Sequence, residues 1–201
     1  PLRVDPQNCG ADFVRIQQSD PCIIKTHLPI ECLQHALKHS NARIIQTLRN
    51  PKDTFISYYH FYRMHKSLGC FTGSWHDFFQ QYIVTDDAGY GNLFQHSADW
   101  WNFNKARKNS MIIFYENMKE DLKGSITAMA DFLGTPVADR AAELIADKTE
   151  FDKMKKDAKT NMEHVQSFKQ EISEFMRKGI VGDWKNYFND EENEYVEKEY
   201  N

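Results

Sequence analysis

The sequence has no C-x-x-C pair among its four cysteines and no apolar run longer than a single β-strand. Without a run of about 20 apolar residues, no transmembrane helix is expected. Four scattered cysteines in 201 residues do not form a disulfide framework, and they favour a reducing compartment. No stretch has the charged, apolar and small-residue regions of a signal peptide. We therefore expect a cytoplasmic protein that does not contact a membrane.

A basic surplus and the common metal motifs are also missing. The formal net charge is −4, whereas general nucleic-acid binders usually carry excess Lys and Arg, so we expect no nucleic-acid partner. The Walker A and H-E-x-x-H patterns do not occur. The pairs His35/His39 and His60/His65 have near-helical spacing, but the sequence places no third ligand beside either pair. We expect no metal, and a zinc-binding interaction module is kept only as an alternative.

The apolar pattern indicates one α/β domain over residues 1–201. Apolar residues at 41% and charged residues at 27% are an ordinary globular mixture, and the length suits a single domain. Short apolar runs alternate with stretches of helical spacing, which is typical of a parallel sheet flanked by helices. The predicted strands are residues 22–25, 42–48 and 111–115. The predicted helices are residues 30–39, 51–68, 75–84, 93–107, about 116–133, 136–147 and 150–157.

Two helix starts and one long loop stand out within this pattern. Asn50 is a suitable N-cap with Pro51 at the first helical position, and Thr135 with Pro136 repeats the arrangement. Residues 158–183 have weak periodicity and are predicted to form a loop. A long ordered loop is often a lid or a binding loop.

Polar clusters follow each predicted strand. They are K-T-H at residues 25–27, R-N-P-K-D at residues 49–53 and Y-E-N at residues 115–117. Ligands of open α/β sheets bind at the carboxyl ends of the strands. We therefore expect these clusters to converge on one site.

Lys25 and His27 are two residues apart, so an extended backbone points both side chains to the same side. A cation beside an imidazole suits an anionic substrate and a general base, because the pKa of histidine is near neutrality. A surface lysine next to a hydrogen-bonded histidine in a turn explains the same residues without any function.

Arg49 precedes a predicted helix N-terminus, where free backbone N–H groups and the helix dipole favour a phosphate. The hydroxyl of Ser57, two turns into the helix, is able to reach the same oxygens. Phe61 lies one turn further within an aromatic-rich stretch that is mostly core by its spacing, and it is a candidate for lining an apolar substrate pocket. An ordinary capped helix with an exposed arginine is the alternative.

The string R-K-G-I-V-G-D-W at residues 177–184 has no helical or strand period. Arg177 and Lys178 are able to clamp a phosphate, Gly179 allows close approach of the backbone, and Trp184 is able to anchor the loop. A flexible basic loop is the alternative interpretation.

Taken in order, these clusters resemble the cytosolic sulfotransferases over nearly the whole chain. The resemblance rests on I-I-K-T-H-L-P, R-N-P-K-D with S-Y-Y-H-F-Y-R-M, W-H-D-F-F, F-Q-H-S-A-D-W-W, F-Y-E-N-M-K-E-D, T-E-F-D-K-M-K-K and F-M-R-K-G-I-V-G-D-W-K-N-Y-F. It implies a P-loop-kinase-like sulfotransferase fold. It also implies transfer of a sulfuryl group from 3′-phosphoadenosine 5′-phosphosulfate (PAPS) to a hydroxyl or amine of a small, largely apolar acceptor such as a phenol or alcohol. The nucleotide product is 3′,5′-adenosine bisphosphate (PAP).

The resemblance also implies a role for each matching residue. His27 looks like the catalytic base, and Lys25 looks like the cation on the transferring sulfuryl group. Arg49 and Ser57 look like ligands of the 3′-phosphate, and residues 158–183 look like the lid with the phosphate loop. The second 3′-phosphate clamp then comprises Arg177, Lys178 and Gly179. The remaining nucleotide pocket comprises Tyr115, Thr149, Phe151, Phe175 and Met176.

The sequence differs from the sulfotransferase family pattern in two places. The phosphosulfate loop K-[ST]-G-T-[TN]-W does not occur, so we expect an upstream segment outside this chain and poor transfer by these 201 residues alone. The dimer segment K-x-x-x-T-V-x-x-x-E has Asn189 and Asp190 in place of Thr and Val. A carboxylate facing its own symmetry mate would weaken that homodimer contact. Two rival functions are a nucleotide-binding remnant without transfer and a sulfation-driven dehydration of an alcohol.

Overall fold

Two parallel strands form the sheet of the described residues. The computed structural model describes residues 23–89 and 91–200. Strand β1, Ile44–Leu48, pairs with β2, Ser110–Phe114, in a register that sets Leu48 opposite Phe114. Because the strands are parallel, the residues that follow each of them leave the sheet at the same edge.

Helices precede, connect and follow the two strands, which confirms the predicted α/β class. A π-helical turn covers Phe79–Ile83, and 3₁₀ turns cover Lys66–Leu68 and Asp183–Asn186. The helices are α1 Ile30–Lys38, α2 Pro51–Met64, α3 Trp75–Phe78, α4 Leu93–Asn104, α5 Tyr115–Glu120, α6 Leu122–Phe132, α7 Asp139–Lys148, α8 Phe151–Lys156 and α9 Asp190–Tyr200.

One of the two predicted helix starts is confirmed, and the other is wrong. The side chain of Asn50 accepts a hydrogen bond from the backbone of Lys52, and Pro51 begins α2. Helix α7 begins only at Asp139. The backbone N–H of Thr135 instead donates to Ala130 at 3.0 Å, so Thr135 still belongs to the turn that ends α6.

Aromatic side chains of α2 and α3 form the main core. Tyr59 and Phe78 lie 5.5 Å apart between ring centroids, and Phe78 is fully buried. Phe188, beyond the second 3₁₀ turn, packs on Trp75 with ring centroids 4.9 Å apart. The prediction that the aromatic-rich stretch is mostly core is therefore confirmed, and the C-terminal segment closes over it.

The predicted strand at residues 22–25 is wrong where the structure describes it. Ile23 and Ile24 are 80% and 60% exposed, and residues 23–29 have no regular secondary structure. A short apolar run becomes a buried strand only if neighbouring strands supply hydrogen bonds and cover. In the described part of the chain, β1 and β2 pair only with each other. Cys22 lies outside the described residues.

The predicted loop over residues 158–183 contains no helix or strand before Asp183. Backbone hydrogen bonds attach it to the end of α2, from Lys66 to Ser167 at 2.9 Å and from Lys169 to Met64 at 2.8 Å. The loop is therefore tethered near its middle. Among the described helices, none has the length and apolarity needed to cross a membrane.

His60 lies where α2 packs against the C-terminal segment, with its Nε2 2.9 Å from the Tyr187 hydroxyl. Burial, together with the positive charges of Arg177 and Arg63, lowers the pKa of His60 to about 4. In the unfolded chain this pKa returns to about 6.5. Between those values the unfolded state binds a proton that the folded state does not, so stability rises with pH across this window.

We expect the urea midpoint of the wild type to fall as the pH is lowered from about 7 to about 4.5, because His60 must then be buried without its proton. His60→Gln removes the titrating group while keeping a polar partner for Tyr187. Its midpoint should fall less steeply over the same range. Parallel slopes for the two proteins would contradict this assignment.

Candidate functional site

Two of the polar clusters meet at the carboxyl edge of the sheet, as expected from the parallel strands. Arg49 follows β1 and Tyr115 follows β2, and the guanidinium carbon lies 4.5 Å from the centroid of the tyrosine ring. The backbone N–H of Asn50 donates to the Glu116 carboxylate at 2.9 Å. Burial raises the pKa of Tyr115 above its ordinary value, and the nearby Arg49 opposes that shift. Tyr115 therefore keeps its proton at neutral pH and contacts the Arg49 cation through the face of its uncharged ring.

Arg49 connects the sheet edge with helix α2 and the C-terminal loop. One terminal nitrogen donates to the Ser57 hydroxyl at 2.9 Å, and the other lies 3.4 Å from the carbonyl oxygen of Ile180. Its buried Nε has no hydrogen-bond partner among the described residues. The arrangement places a cation and a hydroxyl side by side beneath the loop.

Gly179 lies directly against the ring of Phe151, the first residue of α8. Its φ is +63°, and a Cβ atom there would lie 2.2 Å from the ring. Only glycine fits this position, because both the backbone angle and the ring exclude a side chain. The Lys119 amine lies over the same Phe151 ring, 5.5 Å from its centroid. Thr149 lies two residues earlier, and its hydroxyl donates to the Ile145 carbonyl at 2.8 Å.

The two loop cations converge on one buried carboxylate. Asp183 is 2% exposed and accepts from Arg177 at 2.5 Å and from Lys178 at 2.7 Å. Asn186 donates to the same carboxylate at 2.9 Å. Burial raises the pKa of Asp183, but the hydrogen bonds from Lys178, Arg177 and Asn186 outweigh it and lower the pKa to about 2. The carboxylate therefore stays ionised at neutral pH.

A second buried carboxylate holds the backbone of this loop. Asp53, in the first turn of α2, is 1% exposed and accepts from the backbone N–H of Gly182 at 2.7 Å and of Trp184 at 3.0 Å. The Lys52 amine lies 4.2 Å from the centroid of the Trp184 ring. Neither Asp53 nor Asp183 has a role predicted from the sequence. The one available signal was that each acid lies inside a motif proposed for phosphate binding.

Aromatic side chains flank the start of the loop. Phe175 stacks on Phe168 with centroids 5.5 Å apart and ring planes 11° apart, and Phe61 lies 5.7 Å from Phe168. The backbone N–H of Met176 donates to the buried Asn161 side chain at 3.1 Å. Phe61 therefore reaches this part of the loop through Phe168.

Lys25 and His27 lie on the exposed stretch before α1. The Trp100 indole donates to the Leu28 carbonyl at 3.1 Å, which attaches this stretch to α4. Partial burial, followed by the charges of Lys25 and His96, lowers the pKa of His27 below its ordinary value. His96 on α4 was missed by the sequence analysis, and its buried Nε2 has no partner among the described residues.

The residues described by the structure contain no group of three or more His, Cys, Asp or Glu side chains arranged to hold a metal ion. The zinc-binding alternative therefore has no support from the geometry of those residues.

Comparisons with known proteins identify the family of the chain. The chain matches the sulfotransferase domain family over residues 3–201. Sulfotransferase 1C2 of Rattus norvegicus is 36% identical over 197 residues, which are 97% of this chain and 65% of the relative. Sulfotransferase 1A1 of Bos taurus is 36% identical over 182 residues, which are 90% of this chain and 61% of the relative. The chain therefore spans slightly less than two thirds of the length of these relatives.

Two solved structures have a similar fold. Mouse sulfotransferase SULT7A1, complexed with PAP, has a TM-score of 0.76 and 35% identity and covers 88% of this chain and 63% of its own. Retinol dehydratase, in complex with androsterone and the inactive cofactor PAP, has a TM-score of 0.81 and is 26% identical in sequence. The matched region is 94% of this chain and 55% of the retinol dehydratase chain. On its domain match and its relatives, the chain belongs to the sulfotransferase family.

Proposed function

We propose that the described residues bind the 3′-phosphate end of PAPS and of its product PAP. One observation carries this proposal: a terminal nitrogen of Arg49 lies 3.4 Å from the carbonyl oxygen of Ile180, which directly follows Arg177, Lys178 and Gly179 in a loop far away in the sequence. Arg49, the two loop cations and the N-terminus of α2 are the positive groups proposed to bind the phosphate dianion. Ser57 supplies a hydroxyl beside Arg49.

The adenosine is proposed to lie between the aromatic residues around the loop. Phe151 offers a ring packed against Gly179, and Tyr115 lies beside Arg49. Stacking on such rings stabilises a base without hydrogen-bond recognition. The two similar structures are complexes with PAP, which supports the same ligand here. The remaining proposed contacts are Thr149, Phe175 and Met176.

The activity proposed for this site is sulfuryl transfer to a hydroxyl or amine of a small, largely apolar acceptor. His27 is the proposed base, because its lowered pKa keeps the imidazole neutral at pH 7 and able to accept the acceptor's proton. Lys25 is proposed to stabilise negative charge on the equatorial oxygens during in-line transfer. Phe61 is proposed to line the apolar acceptor pocket.

Nucleotide binding without transfer is the second candidate. The 201 residues hold the proposed 3′-phosphate contacts but do not contain the K-[ST]-G-T-[TN]-W motif. A sulfation-driven dehydration is the third, and the similarity to retinol dehydratase supports keeping it. Mass spectrometry of the products separates the three, because they predict a sulfate ester, no product and an alkene, respectively.

Arg49→Ala and Arg177→Ala should each weaken PAP binding by at least about tenfold, because each removes a charged hydrogen-bond donor to phosphate. Isothermal titration calorimetry measures this directly. Arg140→Ala, on the exposed surface of α7, is the matched control and should bind like the wild type. A dissociation constant unchanged in both site variants would refute the phosphate assignment.

His27→Ala should lower the rate of sulfate transfer by about 100-fold or more, because a positioned base contributes at least that much. PAP affinity should stay within about twofold of wild type, because the base does not contact the 3′-phosphate. His39→Ala, an exposed histidine just after α1, is the control. Wild-type turnover in His27→Ala would rule out His27 as the base.

A further inference from the structure

We propose that Asp53 and Asp183 are positioning residues of the phosphate site. Asp53 fixes the backbone of the loop, and Asp183 fixes the side chains of its two cations. The effect on nucleotide affinity rests on the proposed function, whereas the effect on the loop itself does not.

Asp53 acts as a bracket between helix α2 and the loop. Both of its oxygens are used, one by the N–H of Gly182 and one by the N–H of Trp184. The carboxylate is almost completely buried, so water does not replace these hydrogen bonds when one is lost. Its place in the first turn of α2 is also where the helix dipole favours a negative charge. The same helix carries Ser57, so the bracket sets the distance between that hydroxyl and the loop.

Asp183 lies on the stretch of loop backbone that Asp53 holds in place. The amides on either side of it donate to Asp53, while its own side chain accepts from Arg177 and Lys178. The Arg177 and Lys178 side chains are 20% and 44% exposed, whereas the carboxylate is 2% exposed. The acid is therefore the most deeply buried partner, and the two cations are more exposed than it is. Hydrogen bonds therefore connect α2 through Asp53 to the loop backbone, and Asp183 on that backbone connects to the two cations.

An acid beside a proposed phosphate site has two opposed effects. It lowers the local positive charge, which weakens attraction for an anion. It also removes rotamer freedom from an arginine and a lysine, the two cationic side chains with the most freedom to lose. The close contacts and the burial of Asp183 favour the second effect, because binding then pays less to order the cations. Asp183→Asn is nearly isosteric with the wild type and distinguishes the two effects. The variant should bind an anion more tightly if the charge effect dominates, and more weakly if the ordering of the cations dominates.

The first test uses no nucleotide. Hydrogen–deuterium exchange of the segment 177–184 should speed up by about tenfold or more in Asp53→Asn and in Asp183→Asn, because each variant loses charged hydrogen bonds. Asp131→Asn, an exposed aspartate on α6, is the matched control and should exchange like the wild type. Exchange equal to wild type in both site variants overturns the proposal, whatever the nucleotide results.

The second test compares two ligands by calorimetry. Asp183→Asn should weaken PAP binding by about tenfold and leave 5′-AMP binding unchanged, because 5′-AMP lacks the 3′-phosphate. Equal weakening for both ligands indicates a merely structural role, and tighter PAP binding indicates that Asp183 only competes with the anion. Either result overturns the positioning role.

The two proposals fail in different ways. If the wild type does not bind PAP, the proposed function fails and the exchange measurement alone decides on Asp53 and Asp183. If Asp183→Asn does not fold, Arg177→Gln breaks the same ion pair from its more exposed end. Faster exchange of the segment is then expected in Arg177→Gln, and unchanged exchange would overturn the proposal.

Discussion

The carboxylate of Asp53 carries the connection on which the proposed site depends. It joins the first turn of α2 to Gly182, which is 129 positions further along the chain. Asp53 thereby holds the end of the loop that carries Arg177 and Lys178 against the helix that follows Arg49. The loop has no regular secondary structure before Asp183, so its position depends on such contacts. Backbone hydrogen bonds with Met64 and Lys66 tether its middle, and those to Asp53 fix its C-terminal end.

Charge and shape are arranged in layers around this connection. The two loop cations pair with the buried Asp183, while at the sheet edge Arg49 stacks on Tyr115. Gly179 completes the arrangement because its missing side chain lets the loop touch Phe151. A loop proposed to bind the phosphate and a ring proposed to bind the purine are therefore in direct contact. This contact suits the proposed function, in which one nucleotide supplies both groups.

Local rules predicted the parts of the fold that depend on neighbours in sequence. The N-terminus of α2 followed from Asn50 and Pro51, and the meeting of Arg49 with Tyr115 followed from parallel strand ends. The roles of Asp53 and Asp183 did not follow, because sequence spacing gives no information on which distant amide an acid will accept. Residues 23–25 were mistaken for a strand because apolar character alone does not tell whether a neighbouring strand is present to cover them.

The most direct test of the account is a crystal structure of the protein grown with PAP. The account predicts the 3′-phosphate within about 3 Å of the Arg49 guanidinium, the Ser57 hydroxyl and the donors of residues 177–179, a normal charged hydrogen-bond distance. The purine should lie against Phe151. A 3′-phosphate bound away from Arg49 and the loop would contradict the central claim that these two segments form one phosphate site.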